Sequence, residues 1–287
     1  MSDDHVQGWD QSASAEPPRP LELGEVIASS FRVVGQNFPA FFLISLLVVI
    51  PATIVNFGVA IGMRLAMEGA LTGDPAAMMA SAVLGIAGYV VVVVVLSAAY
   101  ALGQGAIMYA TVESLVGRRA SVGDALRAAL QRLLPLWGAS FLFGIAVAIG
   151  TLFCIVPGVL AWVWLVVTLP VCMVERLGPI ASMQRSVELT EGHRGTIFVV
   201  FLVLFVGFMG IAICVMMPAS IGMVAAAGSP ADAQDPFSPL QLVIRAISAV
   251  LQIFSTMVLS AAIAVIYARL RGLRDGVNAQ ALAQVFA

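Results

Sequence analysis

In three short segments of the chain, polar and apolar residues alternate with the period of a helix, and each segment precedes long apolar runs. The clearest segment is Val122–Leu134. One face of a helix there would carry Val122, Ala125, Leu126, Ala129, Leu130 and Leu133. The opposite face would carry Asp124, Arg127 and Gln131. This pattern predicts an amphipathic helix at the boundary between an apolar and a polar phase.

The same pattern occurs at Leu23–Phe38 and, less regularly, at Ile180–Glu191. In the first of these, the apolar face would carry Leu23, Val26, Ile27, Ser30, Phe31 and Val34, opposite Glu25, Arg32 and Gln36. In the second, it would carry Ile180, Met183 and Val187, opposite Arg185. We expect the acidic and basic side chains of residues 175–194 to form a solvated network of charges.

Each amphipathic segment leads into apolar runs that are long enough to cross a bilayer, which takes about 20 helical residues. The Pro157-Gly158 pair is a turn signal that divides the longest run in two. The predicted spans are 38–63, 76–111, 136–156, 158–174, 196–226 and 240–270. The predicted interfacial helices are 22–37, 121–134 and 179–191. The sequence therefore predicts an all-α polytopic membrane protein of six transmembrane helices in three hairpins, each preceded by a cytoplasmic amphipathic interfacial helix.

Composition supports lipid as the solvent for most of the chain, since 61% of its 287 residues are hydrophobic and 10% are charged. Soluble domains are usually about 45–50% apolar and about 25% charged. We expect residues 1–20 to form a disordered acidic tail and residues 277–287 a short C-terminal tail, with the membrane domain at 21–276. No basic patch with interleaved aromatic residues is present, so nucleic acid is not an expected partner.

The arginines indicate an orientation. All 14 basic side chains are arginine, and with six spans only Arg64 and Arg245 fall on the side away from the termini. Short loops that are rich in arginine stay in the cytoplasm. The sequence therefore predicts a multi-pass protein of a bacterial cytoplasmic (inner) membrane with both termini inside.

The chain lacks the motifs of catalysis and cofactor binding, including a G-x-S-x-G elbow, a P-loop and histidines at metal-ligand spacing. We therefore expect no enzyme, cofactor or metal site; an enzyme using His193 or Glu175 at the headgroup level is a weaker alternative. Candidate contacts to lipid or to a partner are Arg127, Arg132, Arg185, Arg194 and Arg245. Candidate polar contacts within the membrane are Asn56, Gln104 and Gln252.

A resemblance to a known family rests on short motifs of the third unit and of the first helix. The third unit contains Val174-Glu175-Arg176-Leu177-Gly178-Pro179, Arg185-Ser186, Glu188-Leu189-Thr190 and Gly192-His193-Arg194; the first helix runs from Leu21-Glu22-Leu23-Gly24-Glu25 to Asn37-Phe38. Over residues 21–275 the chain resembles the membrane domain of bacterial glycerophosphodiester phosphodiesterases and its stand-alone multi-span relatives. The resemblance implies membrane anchoring and lipid handling, but not phosphodiester hydrolysis, which in the fused proteins belongs to a separate soluble barrel.

Two hypotheses of function follow. The first is a non-catalytic membrane scaffold or lipid-associated accessory protein, with membrane lipids and a membrane protein or a second copy of the chain as partners. The alternative is a small-molecule or lipid transporter or permease component. A polar cavity at mid-membrane that reaches Gln104, Gln252 or Arg245 would favour the transporter, whereas a dry, fully packed bundle would exclude it.

The predicted topology can be tested with single cysteines. In a variant without the native cysteines, Asp124→Cys and Asp232→Cys should react with a membrane-impermeant thiol reagent from opposite sides, because one full hairpin and one span separate them. Labelling of both positions from the same side would overturn the predicted topology.

Overall fold

The computed structural model describes residues 22–70, 75–115, 117, 121–226 and 239–275. These residues are 93% helical and contain no strand. The predicted tails at 1–20 and 277–287 lie outside the described residues. The helices are α1 (Leu23–Gln36), α2 (Phe38–Ala70), α3 (Pro75–Leu115), α4 (Val122–Gln131), α5 (Leu133–Phe153), α6 (Ile155–Leu165), α7 (Thr168–Val174), α8 (Pro179–Thr190), α9 (Arg194–Ala226) and α10 (Pro239–Asp275).

Six stretches of the described helices are long and apolar enough to cross a membrane, which confirms the predicted all-α polytopic fold. They are Phe38–Val59, Val92–Leu115, Leu133–Phe153, Ile155–Val174, Arg194–Pro218 and Gln241–Asp275. The fourth stretch is divided into α6 and α7. The hairpins are α2 with α3, α5 with α6, and α9 with α10.

The three hairpins close into a ring through the short helices. Helix α4 packs on α3 and α8 packs on α7, so each of these helices contacts the last span of the preceding unit. Helix α1, the first of the described helices, packs on α10, the last of the described spans. We call the end of the bundle that carries α1, α4 and α8 the capped end, and the other half the uncapped half.

The short helices touch the spans through pairs of buried residues that are four positions apart. The pairs are Val26 with Ser30, Ala125 with Ala129, and Ser182 with Ser186, and each of the six side chains is 0% exposed. Each pair begins four residues after the N-cap residue of its helix, which is Glu22, Ser121 or Gly178. Because five of these six side chains are no larger than serine and the sixth is valine, the helix axes can approach closely.

The buried face of α8 differs from the face that periodicity predicts. Ile180 is 66% exposed, and the buried residues are instead Ser182, Ser186, Leu189 and Thr190. Large residues of the other short helices are exposed too, among them Phe31 at 43% and Leu130 at 55%. Small hydroxyl residues face the bundle because they allow close contact between helices and can hydrogen-bond to backbone groups there. The larger apolar residues lie on the exposed faces of the short helices, where lipid can surround them.

Two glycines bring α3 close to its neighbours on both sides. A Cβ atom at Gly103 would collide with the Val48 side chain of α2. A Cβ atom at Gly105 would lie 2.7 Å from Leu136 Cδ1 of α5. Helix α3 is therefore clamped between two helices at the point where Gln104 lies.

The turn between α5 and α6 consists of one extended residue, Cys154, three positions before the Pro157-Gly158 pair from which a turn was predicted. Pro157 instead lies in the first turn of α6, where its missing N–H leaves no helix bond broken. A Cβ atom at Gly150 would lie 2.9 Å from the Cα atom of Gly158, so these glycines allow the two helices to lie in close contact directly after a one-residue turn.

Pro170 causes the break between α6 and α7. Its ring clashes with the Val166 carbonyl and provides no N–H for it, so α6 ends at Leu165. The Trp164 carbonyl in the last turn of α6 accepts hydrogen bonds from the hydroxyls of Ser186 (2.9 Å) and Thr190 (3.4 Å) on α8. Helices α2 and α9, by contrast, continue through Pro51 and Pro218.

Buried residues concentrate in the capped half of the bundle. In α3 they lie between Ala101 and Glu113, and in α10 between Ile253 and Leu270. Toward the uncapped half the same helices expose large apolar side chains, such as Val95 at 58% and Val250 at 65%. Among the described residues, the helices therefore pack tightly at the capped end and less tightly away from it.

The glycine clamp can be tested by adding one methyl group. We expect Gly103→Ala to destabilise the bundle by about 1–3 kcal/mol because the new methyl group overpacks against Val48. The control is Gly210→Ala on α9, which has nothing within 4 Å of the added atom and should be neutral or slightly stabilising. Unfolding by SDS titration in mixed micelles measures both; equal midpoints for the two variants would contradict the clamp.

Candidate ligand-binding cavity

Between the spans of the bundle lies a partly open cavity of about 730 Å³. All six spans contribute to its wall. Small-molecule sites in proteins usually measure about 300–1,000 Å³ and are lined mainly by apolar side chains. The cavity is therefore large enough to hold a ligand, and the described bundle is not fully packed.

The polar lining residues lie mainly on two helices. Helix α3 provides Ser97, Tyr100 and Gln104, and α10 provides Gln252, Ser255, Thr256 and Ser260. The spacing of three or four residues places each set along one face of its helix. The rest of the wall is mainly aliphatic and aromatic, and no Asp, Glu, Lys, Arg or His is among the described lining residues.

Gln104 joins the two polar faces. Its side-chain oxygen accepts a hydrogen bond of 2.6 Å from the Ser260 hydroxyl, and the two residues are 5% and 0% exposed. The glycines on either side of Gln104 hold its backbone between α2 and α5, so this amide has a fixed position in the wall.

Aromatic residues connect other parts of the wall. The Trp137 indole N–H of α5 donates to the Ser97 hydroxyl of α3 over 2.8 Å. Trp162 of α6 packs edge-on against Phe201 of α9, with ring centroids 4.6 Å apart. These contacts tie the second hairpin to the first and to the third around the cavity.

Two of the three predicted intramembrane polar residues, Gln104 and Gln252, line the cavity. The third, Asn56, is exposed on α2 and donates to the Ala52 carbonyl of its own helix. The sequence argument missed Ser97, Tyr100 and Ser260. The sequence does contain a signal that could have found them. Polar residues recur within these apolar runs at the spacing of a helix, and this spacing marks one face of α3 and one face of α10.

The five predicted arginine contacts do not form one site. Arg127 is exposed, and Arg132 is the C-cap residue of α4. Arg245 lies outside the described cavity lining, with its guanidinium 5.2 Å from the Phe57 ring centroid. Arg194 is 4.8 Å from the Trp164 ring centroid and donates to the Val187 carbonyl. Cation–π contacts of this kind hold an arginine at about the depth of its aromatic partner.

The remaining candidate, Arg185, is the centre of a charge cluster at the capped end. Its guanidinium lies 3.3 Å from a Glu175 oxygen, 3.4 Å from Glu188 and 2.5 Å from Asp275. The hydrogen bond from Arg185 to Asp275 raises the pKa of the arginine above its already high range, so it stays cationic. The cluster links α8 to both α7 and α10.

Glu175 and Arg271 complete this cluster from the inside. Their side chains are 13% and 15% exposed, so this inner part of the expected solvated network is enclosed, whereas Glu188 and Glu191 are exposed as expected. The Tyr267 hydroxyl donates to Glu175 over 3.1 Å and accepts from Arg271 over 3.2 Å. Periodicity could not reveal this, because the partners come from α7, α8 and the distant end of α10.

Other ionic contacts surround the ring at the same end. Arg274 of α10 donates to the Glu188 carbonyl and lies 3.3 Å from Glu191. Arg269 of α10 lies 2.7 Å from Glu25 of α1, which joins the first helix to the last. His193 is half-buried near the Glu191 carbonyl and is not a lining residue of the cavity.

The charge cluster can be tested by removing Arg185. We expect Arg185→Ala to destabilise the protein by about 1–3 kcal/mol, since it removes the shorter ion pairs of Glu175 and Asp275 and leaves them the longer contacts with Arg271, at 4.0 Å and 3.8 Å. Arg185→Lys should recover only part of this loss. The lysine keeps the positive charge, but one ammonium cannot bond three carboxylates in a fixed fork. Thermal unfolding in detergent measures the effect; Arg127→Ala is the exposed control, and an equal change in both alanine variants would refute the cluster's role.

Comparisons of this chain with protein-family models, with curated proteins and with solved structures give no match.

Proposed function

We propose that this protein binds a neutral amphiphile, either a lipid or an apolar small molecule with a polar group, in its central cavity and acts as a transporter or permease component for it. The observation that carries the proposal is the cavity of about 730 Å³ with polar groups along two of its walls. The chain has no catalytic motif, and we infer a role in binding and transfer rather than in catalysis.

The cavity wall selects for the charge of the ligand. A charged group inside a membrane protein is costly unless a partner is supplied. The described lining residues include no ionisable acid or base other than tyrosine, so an ion would find no counter-charge there. A neutral molecule with a long apolar part would bury that part against the aliphatic wall and satisfy its polar group at α3 or α10.

The scaffold hypothesis has less support than the transporter. The predicted contacts to a partner are five arginines, and three of these five are engaged within the chain. Arg185 bonds to the charge cluster, Arg194 to Trp164 and Val187, and Arg245 lies over Phe57. Only Arg127 of the five is exposed.

We propose the bacterial cytoplasmic membrane as the location, with both termini inside. The excess of arginine at the capped end supports this orientation. The resemblance to the membrane domain of glycerophosphodiester phosphodiesterases stays a prediction, and it would agree with lipid handling.

A cavity-filling substitution tests the proposal. We expect the wild-type protein, purified from its native membrane in mild detergent, to retain about one neutral lipid or apolar metabolite per chain, measured by mass spectrometry of the solvent extract. Ala148→Trp should remove most of this ligand, because Ala148 lines the cavity and an indole would occupy the space.

The matched control is Ile149→Trp. Ile149 is the next residue on α5, is 52% exposed and is not among the lining residues, so an indole there should leave the bound ligand unchanged. Equal retention by both variants, or a wild-type protein that retains only bulk detergent and bulk phospholipid, would refute a binding function of the cavity.

A further inference from the structure

Gln252 and Thr256 of α10 lie one helical turn apart, and both line the cavity. Gln252 is exposed, and Thr256 is half-buried. Neither side chain has a hydrogen-bond partner within the part of the chain that the structure describes. The two residues therefore place an amide and a hydroxyl, both with unused hydrogen-bonding capacity, next to each other on the wall.

Several other polar groups of the lining are already bonded within the chain. The Ser260 hydroxyl donates to the Gln104 side chain over 2.6 Å. The hydroxyls of Ser97 and Ser140 donate to backbone carbonyls one turn earlier on their own helices, each over 2.8 Å. These groups hold the wall together and have less to offer to a ligand.

Thr256 differs in this respect from two other threonines of the spans. Thr53 and Thr111 each donate to the carbonyl four residues earlier over 2.8 Å. The corresponding carbonyl for Thr256 is that of Gln252, which instead accepts from the Ser255 hydroxyl over 3.0 Å. The Thr256 hydroxyl is therefore left to the cavity.

The position of Gln252 along α10 makes an unpaired amide costly. Gln252 lies eleven residues after Gln241 and seventeen before Arg269, which is about 16 Å and about 25 Å along a helix. A glutamine side chain is too short to reach the polar phase over either distance. An amide that meets only apolar groups loses the hydrogen bonds that water would give it. The cavity is therefore where the Gln252 side chain can find a partner.

We propose that Gln252 and Thr256 bind a primary carboxamide at the polar end of an apolar ligand. A primary amide has one acceptor oxygen and two N–H donors, and the Gln252 amide has the same set. The two amides pair through two side-by-side hydrogen bonds, and the Thr256 oxygen accepts the second N–H of the ligand. A carboxylate is disfavoured, because the described lining has no basic side chain. The proposal rests on the proposed function of the cavity and names the group that it recognises.

Two photoreactive probes of equal size can test this recognition. One is the primary amide of a sixteen-carbon fatty acid that carries a diazirine in its chain. The other is the matching methyl ketone, in which a methyl group replaces the NH₂ group, so that it accepts hydrogen bonds but donates none. Both are titrated into the whole chain in phosphatidylcholine nanodiscs, and the yield of cross-links to cavity residues gives an apparent affinity for each probe.

We expect Gln252→Met, which keeps the length of the side chain, to weaken binding of the amide by about ten- to thirtyfold, the value of two hydrogen bonds. The ketone should weaken by only about three- to fivefold, since it makes one of these bonds. Thr256→Val keeps the shape of the side chain; it should weaken the amide by about threefold and leave the ketone unchanged.

The control is Asn56→Leu, which removes an amide from another span. Asn56 is exposed on α2, is not among the lining residues and donates to the Ala52 carbonyl of its own helix. Its replacement should change the affinity of neither probe.

The outcomes separate this proposal from the proposed function. If Gln252→Met changes both probes equally, or changes neither, recognition of a carboxamide is refuted, whereas cross-linking of the ketone to cavity residues still supports a binding function. If neither probe cross-links to cavity residues of the wild-type protein, the proposed binding function is refuted together with the recognition that rests on it.

Discussion

Close contact between helices through small side chains is the interaction on which the rest of this structure depends. In lipid there is no hydrophobic drive to bring helices together, because the acyl chains are as apolar as the side chains. Association must come from dispersion contacts at short range and from hydrogen bonds. Gly103 and Gly105 provide the short range on α3, and pairs such as Ala125 with Ala129 provide it on the short helices. The ring of three units closes because α1 makes on α10 the contact that α4 and α8 make on their own predecessors.

Polar groups at the capped end reinforce this ring where the backbone is interrupted. Pro170 ends α6 early, and the Trp164 carbonyl in its last turn is bonded by hydroxyls of α8. The charge cluster around Arg185 then joins α8 to the end of α10. Enclosed ion pairs rarely add much stability relative to apolar packing, but they fix which surfaces meet, and here they fix the end of the last span against the third short helix.

The cavity follows from the same packing, because tight contacts are confined to one half of the described bundle. Beyond them the described helices pack less tightly, and space remains between α3, α5 and α10 that side chains do not fill. Polar residues on α3 and α10 face this space in two rows, which gives one wall a chemistry different from the others. A site with an apolar majority and a few fixed hydrogen-bonding groups is the usual form of a small-molecule site.

The sequence by itself determined the number and class of the spans and the three-fold repeat, since both depend on local properties: the length of an apolar run and the 3.6-residue period. Those properties tell which residues share a helix face, but not what that face meets. Only the tertiary structure decided that α8 buries Ser182 and Ser186 rather than Ile180, because contact distance outweighs hydrophobicity when the solvent is lipid. The pairing of Gln104 with Ser260, 156 residues apart, and of Arg185 with Asp275 depends likewise on the order of helices around the ring, which no local pattern encodes.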